Sequence, residues 1–268
     1  MTRTRTDSVP SMETTTEDVT IGDRSAVYTR PAGAGRWPGV VMLHEGYGIN
    51  DVLRRQAQRL ASAGYLVVAP DLLGEGQRYE ALKDALESLA AREGTQFEVI
   101  AQARAWVAGQ RECNGRVGVI GFGLGAGYAM AVAGSGFDAA AVNYAVIPDD
   151  ADEVLRGACP IVGSYGAKDR LSSGVTKLAA ALEAQHIDYD LKVYRKAGHS
   201  FLNDTPVGPV LLRPLMKVAG VGPEPESAEH AWARINSFFG RHLRGRPAQL
   251  VMSLRRKCHR AAEVSTTA

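Results

Sequence analysis

The chain has 268 residues, of which 45% are hydrophobic and 22% charged. That length and balance support one large domain with a substantial core, and exclude collagen-like, disordered and membrane-embedded classes. The formal net charge of +2 conceals an asymmetry: from Arg241 onward there are seven Lys or Arg and one acid, Glu263, against 24 bases and 28 acids before it.

The first stretch, MTRTRTDSVPSMETTTED, carries basic residues with no apolar run behind them, so it is no secretory signal. It reads as a polar, disordered leader through residue 18. No apolar stretch approaches the length of a membrane span, so a soluble cytoplasmic protein without a membrane partner is expected. "AVYTR" and "GVVMLHE" read as strands. "DVLRRQAQRLASAG" follows as a helix with Val52, Leu53, Ala57, Leu60 and Ala61 on one stripe and Gly64 as its stop. "YLVVAP" is a buried strand, and "YEALKDALESLAA" and "FEVIAQARAWVAG" are amphipathic helices. "RVGVIG" is a strand leading into "LGAGYAMAVAG", a helix of small residues suited to close packing on a sheet. "AAAVNYAV", "PIVGSYG" and "YDLKVYRKAG" are further strands, while "SGVTKLAAALEAQ" and "SAEHAWARINSFFGRHL" are helices. This alternation, with strands that are nearly continuously apolar, predicts a doubly wound parallel sheet covered on both faces. A single domain is expected over 19–243. Within it, the apolar, proline-punctuated segment 206–225 reads as a lid or as a surface against a second copy of the chain, which makes a homodimer one reading.

Residues 244–268 form a basic C-terminal extension. Its charge could attract nucleic acid or anionic lipid, but no aromatics are interleaved with it. The simpler reading is a solvated helix docked by Leu250, Val251 and Leu254, and no nucleic-acid partner is expected. Cys113, Cys159 and Cys258 make no CxxC and no even framework, and read as reduced structural thiols.

In doubly wound sheets, ligands bind beyond the carboxyl ends of the strands. Four strand ends carry candidates: Glu45 followed by "GYGIN"; the turn Gly121-Phe122-Gly123-Leu124-Gly125; Asp169 after "PIVGSYGAK"; and His199, followed by Ser200 and Phe201. The turn has the framing of a G-x-S-x-G nucleophile elbow, and elbow, Asp and His follow in the chain order of that triad. Its central residue is Gly123, however, where a nucleophile would stand. "GFGLGAG" also resembles a dinucleotide-binding glycine loop, but such loops open the first βαβ unit with an acid about 20 residues on, and this one comes late. His44 reads as structural and Asp71 as a turn residue. His186, His230, His242 and His259 read as solvated. Glu45 is either catalytic or a structural acid. No His, Cys, Asp or Glu cluster has metal-ligand spacing, so neither metal nor cofactor is expected.

The segments "HEGYGIN", "GYLVVAPDLLG", "VGVIGFGLGAG", "YGAKD" and "GHSFLND" resemble the dienelactone hydrolase family in order and spacing, from about Ala26 to Leu243. The resemblance implies an α/β-hydrolase fold with a mostly parallel sheet of about eight strands, and a Cys-His-Asp triad acting on lactones or esters. On it, Asp169 and His199 match the triad partners and Glu45 the acid that holds the resting thiol. The backbone N–H groups of Gly46 and Leu124 match the oxyanion hole. Gly123 departs from the family at the nucleophile. Tyr47, Arg78, Phe201 and Leu211 are the candidate substrate contacts. Where dienelactone hydrolases carry an Arg after the His motif, this chain reads "FLND". With the apolar segment Val207 to Val218, that favours a small hydrophobic carbonyl-containing substrate over an anionic lactone.

An acyl-enzyme needs a side-chain nucleophile, which Gly123 does not supply. A His oriented by a carboxylate remains a competent base, and backbone oxyanion donors do not depend on the missing side chain. The leading expectation is therefore acid/base chemistry beside a carbonyl: cyclisation, isomerisation, elimination or hydrolysis by activated water. Two alternatives stand beside it. One is an ordinary ester or lactone hydrolase in which Gly123 replaces Cys. The other is a non-catalytic small-molecule-binding protein.

Overall fold

A computed structural model of the protein describes residues 12–244 apart from 75, 172, 207, 209, 210 and 212. Eight strands form one sheet in the order β1-β2-β4-β3-β5-β6-β7-β8. They are β1 (Thr14–Ile21), β2 (Arg24–Pro31), β3 (Trp37–Leu43), β4 (Leu66–Pro70), β5 (Cys113–Phe122), β6 (Ala139–Asn143), β7 (Ile161–Gly166) and β8 (Tyr189–Tyr194). From β4 across to β8 all pairings are parallel, while β1 and β2 add an antiparallel edge. The central strands β4 and β6 are buried at every position, because helices cover both faces of a parallel sheet.

The helices are α1 (Asp51–Ser62), α2 (Arg78–Ala91), α3 (Thr95–Ala108), α4 (Leu124–Ala131), α5 (Ala151–Val154), α6 (Val175–Ala184), α7 (Arg213–Val218) and α8 (Pro225–Leu243). The predicted stripe of α1 is buried as expected, and Asn50 caps it by accepting the Leu53 N–H at 3.0 Å. α1 and α8 share one apolar cluster with one face of the sheet, through Leu53, Leu60, Trp232, Ile235, Phe238 and Phe239. α3, α4 and α6 cover the opposite face through Val99, Ile100, Ala103, Ala126, Leu178 and Leu182.

The chain leaves β3 through α1 to reach β4 on one side, then crosses back through α2 and α3 to β5 on the other. The connections after β3 and β5 therefore diverge, and a crevice opens between two neighbouring strand ends. Glu45 follows the first of these strands and Gly123 the second.

Three expectations are corrected. The polar leader does not extend to residue 18: Thr14–Asp18 belong to β1, paired with β2 from Thr14↔Pro31 to Ile21↔Arg24. β-branched threonines suit an exposed edge strand, and this one has almost no buried position to give an apolar signal. His230 and His242 are not freely solvated. His230 Nδ1 lies 3.0 Å from the Tyr194 hydroxyl, and His242 packs on Phe238 with its Nε2 3.1 Å from Asp188. The docking residues Leu250, Val251 and Leu254, with Cys258 and His259, lie outside the described residues, as does most of the leader. Cys113 and Cys159 are free and buried.

Candidate active site

The elbow between β5 and α4 is built by glycines that have no alternative. A Cβ on Gly121 would stand 2.1 Å from the Gly125 carbonyl oxygen, and one on Gly125 would stand 2.2 Å from that of Leu43. Helix α4 can therefore start hard against β3, with the Gly125 N–H donating to the His44 carbonyl at 3.1 Å. Gly123 is different. Its backbone is at φ 53°, ψ −112°, a conformation costly for any L side chain. A Cβ built there would lie 3.3 Å from His199 Nε2 and 3.7 Å from Glu45 Cγ. The position faces the histidine, and a side chain there would ask the His199 ring to give by a few tenths of an ångström.

His199 follows β8 and Asp169 follows β7. His199 Nδ1 donates to Asp169 Oδ2 at 2.8 Å, so Nε2 is the nitrogen presented to the space above Gly123. The Asp169 side chain is 2% exposed, and its Oδ1 accepts the Leu171 N–H at 2.9 Å. Burial disfavours the imidazolium. The hydrogen bond and charge of Asp169, with the charge of Glu45, outweigh it and hold the His199 pKa above its ordinary 6.5.

Glu45 stands across the space with its carboxyl engaged. Oε1 accepts from the Tyr144 hydroxyl at 2.9 Å and the Asn203 amide at 3.2 Å, and Oε2 accepts from the Ser200 hydroxyl at 2.9 Å. Asn203 in turn accepts from Gln56 at 3.0 Å. The Tyr144 ring packs edge-on to His199 with centroids 5.0 Å apart. Burial, then the charge and hydrogen bond of Glu45, push its phenol pKa well up, so Tyr144 remains a donor. Tyr144 and Ser200 both adopt positive φ, 47° and 60°, a backbone cost met where it aims side chains at the site. Ser200 and Asn203 lie within "GHSFLND". Tyr144, Ser200 and Asn203 were not singled out as functional, and the signal available for Tyr144 was its place at the end of β6.

Among the described residues, the N–H groups of Gly46 and Leu124 have no hydrogen-bond acceptor. Leu124 opens α4, where N–H groups are left over by the helix. His44 is structural as expected: Nδ1–H donates to the Glu45 carbonyl at 2.7 Å, and Nε2 accepts the Leu72 N–H at 2.9 Å.

Of the four candidate substrate contacts, two share a cavity. Tyr47 and Arg78 line a 660 Å³ cleft with Ile49, Arg55, Pro206 and Arg213, next along the chain from Gly46. The other two do not. Phe201 is fully buried, packed on Tyr144 and Tyr194 beneath the histidine loop. Leu211 is 90% exposed, and Leu215 and Val218 of the same segment also face outward. Among the described residues of the segment, Met216 lines a cleft while Leu211, Leu215 and Val218 face solvent, so these three side chains do not roof the site. Among the described residues no group of three or more His, Cys, Asp or Glu is placed to hold a metal ion, and no helix is long and apolar enough to cross a membrane.

A mostly parallel eight-stranded sheet, an elbow after β5, an acid after β7 and a histidine after β8 define the α/β-hydrolase fold. The model of the dienelactone hydrolase family matches residues 25–243, and the chain belongs to that family. It is 26% identical over 241 residues to a protein of Saccharolobus solfataricus, spanning 75% of this chain and 88% of the relative. It is 27% identical over 235 residues to one of Azospirillum brasilense, spanning 83% and 95%. Both carry the name "Putative carboxymethylenebutenolidase". A crystal structure of a "Putative Dienelactone Hydrolase" from Klebsiella pneumoniae superposes with a TM-score of 0.71 at 22% identity, covering 85% of this chain and 99% of that one. That last likeness is one of fold.

Proposed function

We propose that this protein is an enzyme acting on a small carbonyl-containing compound without forming an acyl-enzyme. His199, oriented by Asp169, moves a proton to or from the group that occupies the space above Gly123. The Gly46 and Leu124 N–H groups stabilise the enolate or alkoxide that results. Glu45 is the second acid/base candidate across the space. Where the occupant is substrate, the chemistry is cyclisation, isomerisation or elimination beside the carbonyl. Where it is water, the same step hydrolyses an ester or lactone, and membership of a hydrolase family favours that variant. The observation that carries the proposal is the 3.3 Å between His199 Nε2 and the Cβ position of Gly123. A base is aimed at the position where a nucleophile would stand and no side chain does.

The test pairs two variants. His199→Ala should lower turnover of an enol lactone about 10²–10⁴-fold, the usual contribution of a positioned base. Gly123→Cys should acquire an acyl adduct, seen by mass spectrometry after p-nitrophenyl acetate, while the unmodified chain shows none. Ligand binding without turnover, insensitive to His199→Ala, would make the protein a binding module instead. An acyl adduct on the unmodified chain would end the proposal.

A further inference from the structure

A second cleft, of 680 Å³, adjoins that of Tyr47 and Arg78, and Pro206 and Arg213 line both. Its apolar surface comes from Pro206, Pro214, Met216, Val221 and Pro223. Four cations line it, Lys168, Lys196, Arg213 and Lys217, against one acid, Glu224. The acids nearby are already engaged. Glu224 caps α8 by accepting the Ser227 N–H at 2.8 Å, and Glu226 pairs with Lys196 at 2.7 Å. Among the described residues Lys168, Arg213 and Lys217 have no acidic partner; Arg213 donates to the Gly208 carbonyl at 3.3 Å.

Like charges gathered round an apolar concavity repel one another, and they are relieved by an anion. The volume is that of a small-molecule site. One wall is the backbone behind the catalytic pair: Gly198 lines the cleft, His199 bridges to Val221, and the Gly222 N–H donates to the His199 carbonyl at 2.9 Å. We infer that this cleft binds an amphipathic anion, a phosphate or carboxylate carried on an apolar chain. Lys168, Arg213 and Lys217 hold the charged head, and Met216 and Val221 hold the body. The inference does not depend on the chemistry at His199, because its readout is binding.

The experiment is calorimetric titration of the full chain with octyl phosphate. Saturable binding is expected, with octanoate competing and with octanol and inorganic phosphate each weaker by about tenfold or more, since each lacks one half of the ligand. The double variant Lys168→Gln/Lys217→Gln should bind octyl phosphate at least about tenfold more weakly, a loss of roughly 1.4 kcal/mol. Added salt should weaken the unmodified protein more than the variant. Both lysines are exposed, so the variant's unfolding should match that of the parent. Arg78→Gln, which alters the neighbouring cleft, should leave the affinity unchanged. Undiminished binding by the double variant, equal loss in Arg78→Gln, or no saturable binding of octyl phosphate would each overturn the inference.

Discussion

At His199 two influences oppose each other: burial favours the neutral ring, and Asp169 and Glu45 favour the imidazolium. The acids prevail, and the pKa lies above 6.5. A raised pKa means that the pairing contributes stability fully below the unfolded value of 6.5 and loses it as pH rises through the folded value. The base form has the opposite dependence, so turnover falls as pH drops through that folded value. An NMR titration of the ring should therefore have a midpoint above 6.5, with the acid limb of turnover following it. Asp169→Asn should move both downward. A midpoint at or below 6.5, or one unmoved by the substitution, would contradict the arrangement. The Glu45 carboxyl depends on donors rather than on a cation. Tyr144→Phe removes one donor and keeps the ring on His199, so it should cost about 1–3 kcal/mol in denaturant unfolding. A variant as stable as the parent would mean that the 2.9 Å contact contributes nothing. His199, Asp169 and Glu45 were legible because each ends a recognisable strand. Tyr144 also follows a recognisable strand, but its bond to Glu45 joins residues 99 apart in the chain, so nothing local tied it to the site.

At the level of elements, the elbow depends on how closely α4 meets β3. Adding a methyl at Gly125 drives Cβ to 2.2 Å from the Leu43 carbonyl oxygen, whereas at Gly123 the nearest atom is the edge of the His199 ring at 3.3 Å. Overpacking of this kind typically costs about 1–3 kcal/mol, and here the clash is with backbone, which cannot turn aside. Alanine's better helix propensity, worth about 1 kcal/mol over glycine, works the other way at Gly125 without removing the clash. Gly123→Ala carries the cost of its positive φ, about 1–3 kcal/mol, and a 3.3 Å contact that the His199 ring can relieve by shifting a few tenths of an ångström. Gly125→Ala should therefore be the less stable of the two in denaturant unfolding, and it should displace the Leu124 N–H as well. The reverse order would show that α4 can move away from β3 at little cost. β2 to β8 and the long helices were legible from apolar runs and helical stripes. β1 was not, because the edge strand TTTEDVTI offers only Val19 and Ile21 to the core, and α5 and α7 are too short for a period to show. The outward direction of Leu211 and Leu215 was likewise unreadable, since an apolar segment does not say which way it faces.

Across the whole molecule, the two faces of the sheet relate differently to the site. The cluster under α1 and α8 includes Tyr144, Ala197, Phe201 and Leu202, so the loop carrying His199 is an outgrowth of that core. The cluster under α3, α4 and α6 supports Leu178 and Leu182, away from the histidine loop. Equal losses of stability on the two faces should then have unequal consequences. Phe201→Ala removes the ring packed on Tyr144 and Tyr194 and should cost about 3–5 kcal/mol, while Leu182→Ala, also fully buried, should cost about 2–5 kcal/mol. Cavities in close-packed interiors are felt by their immediate neighbours, and for Phe201 these hold both Glu45 and the face of His199. At a temperature where both variants remain folded, the His199 titration should shift and turnover should fall with Phe201→Ala alone. A shift of similar size with Leu182→Ala would mean that the sheet transmits packing defects to the site from either face, and that the histidine loop has no privileged dependence on the α1–α8 side.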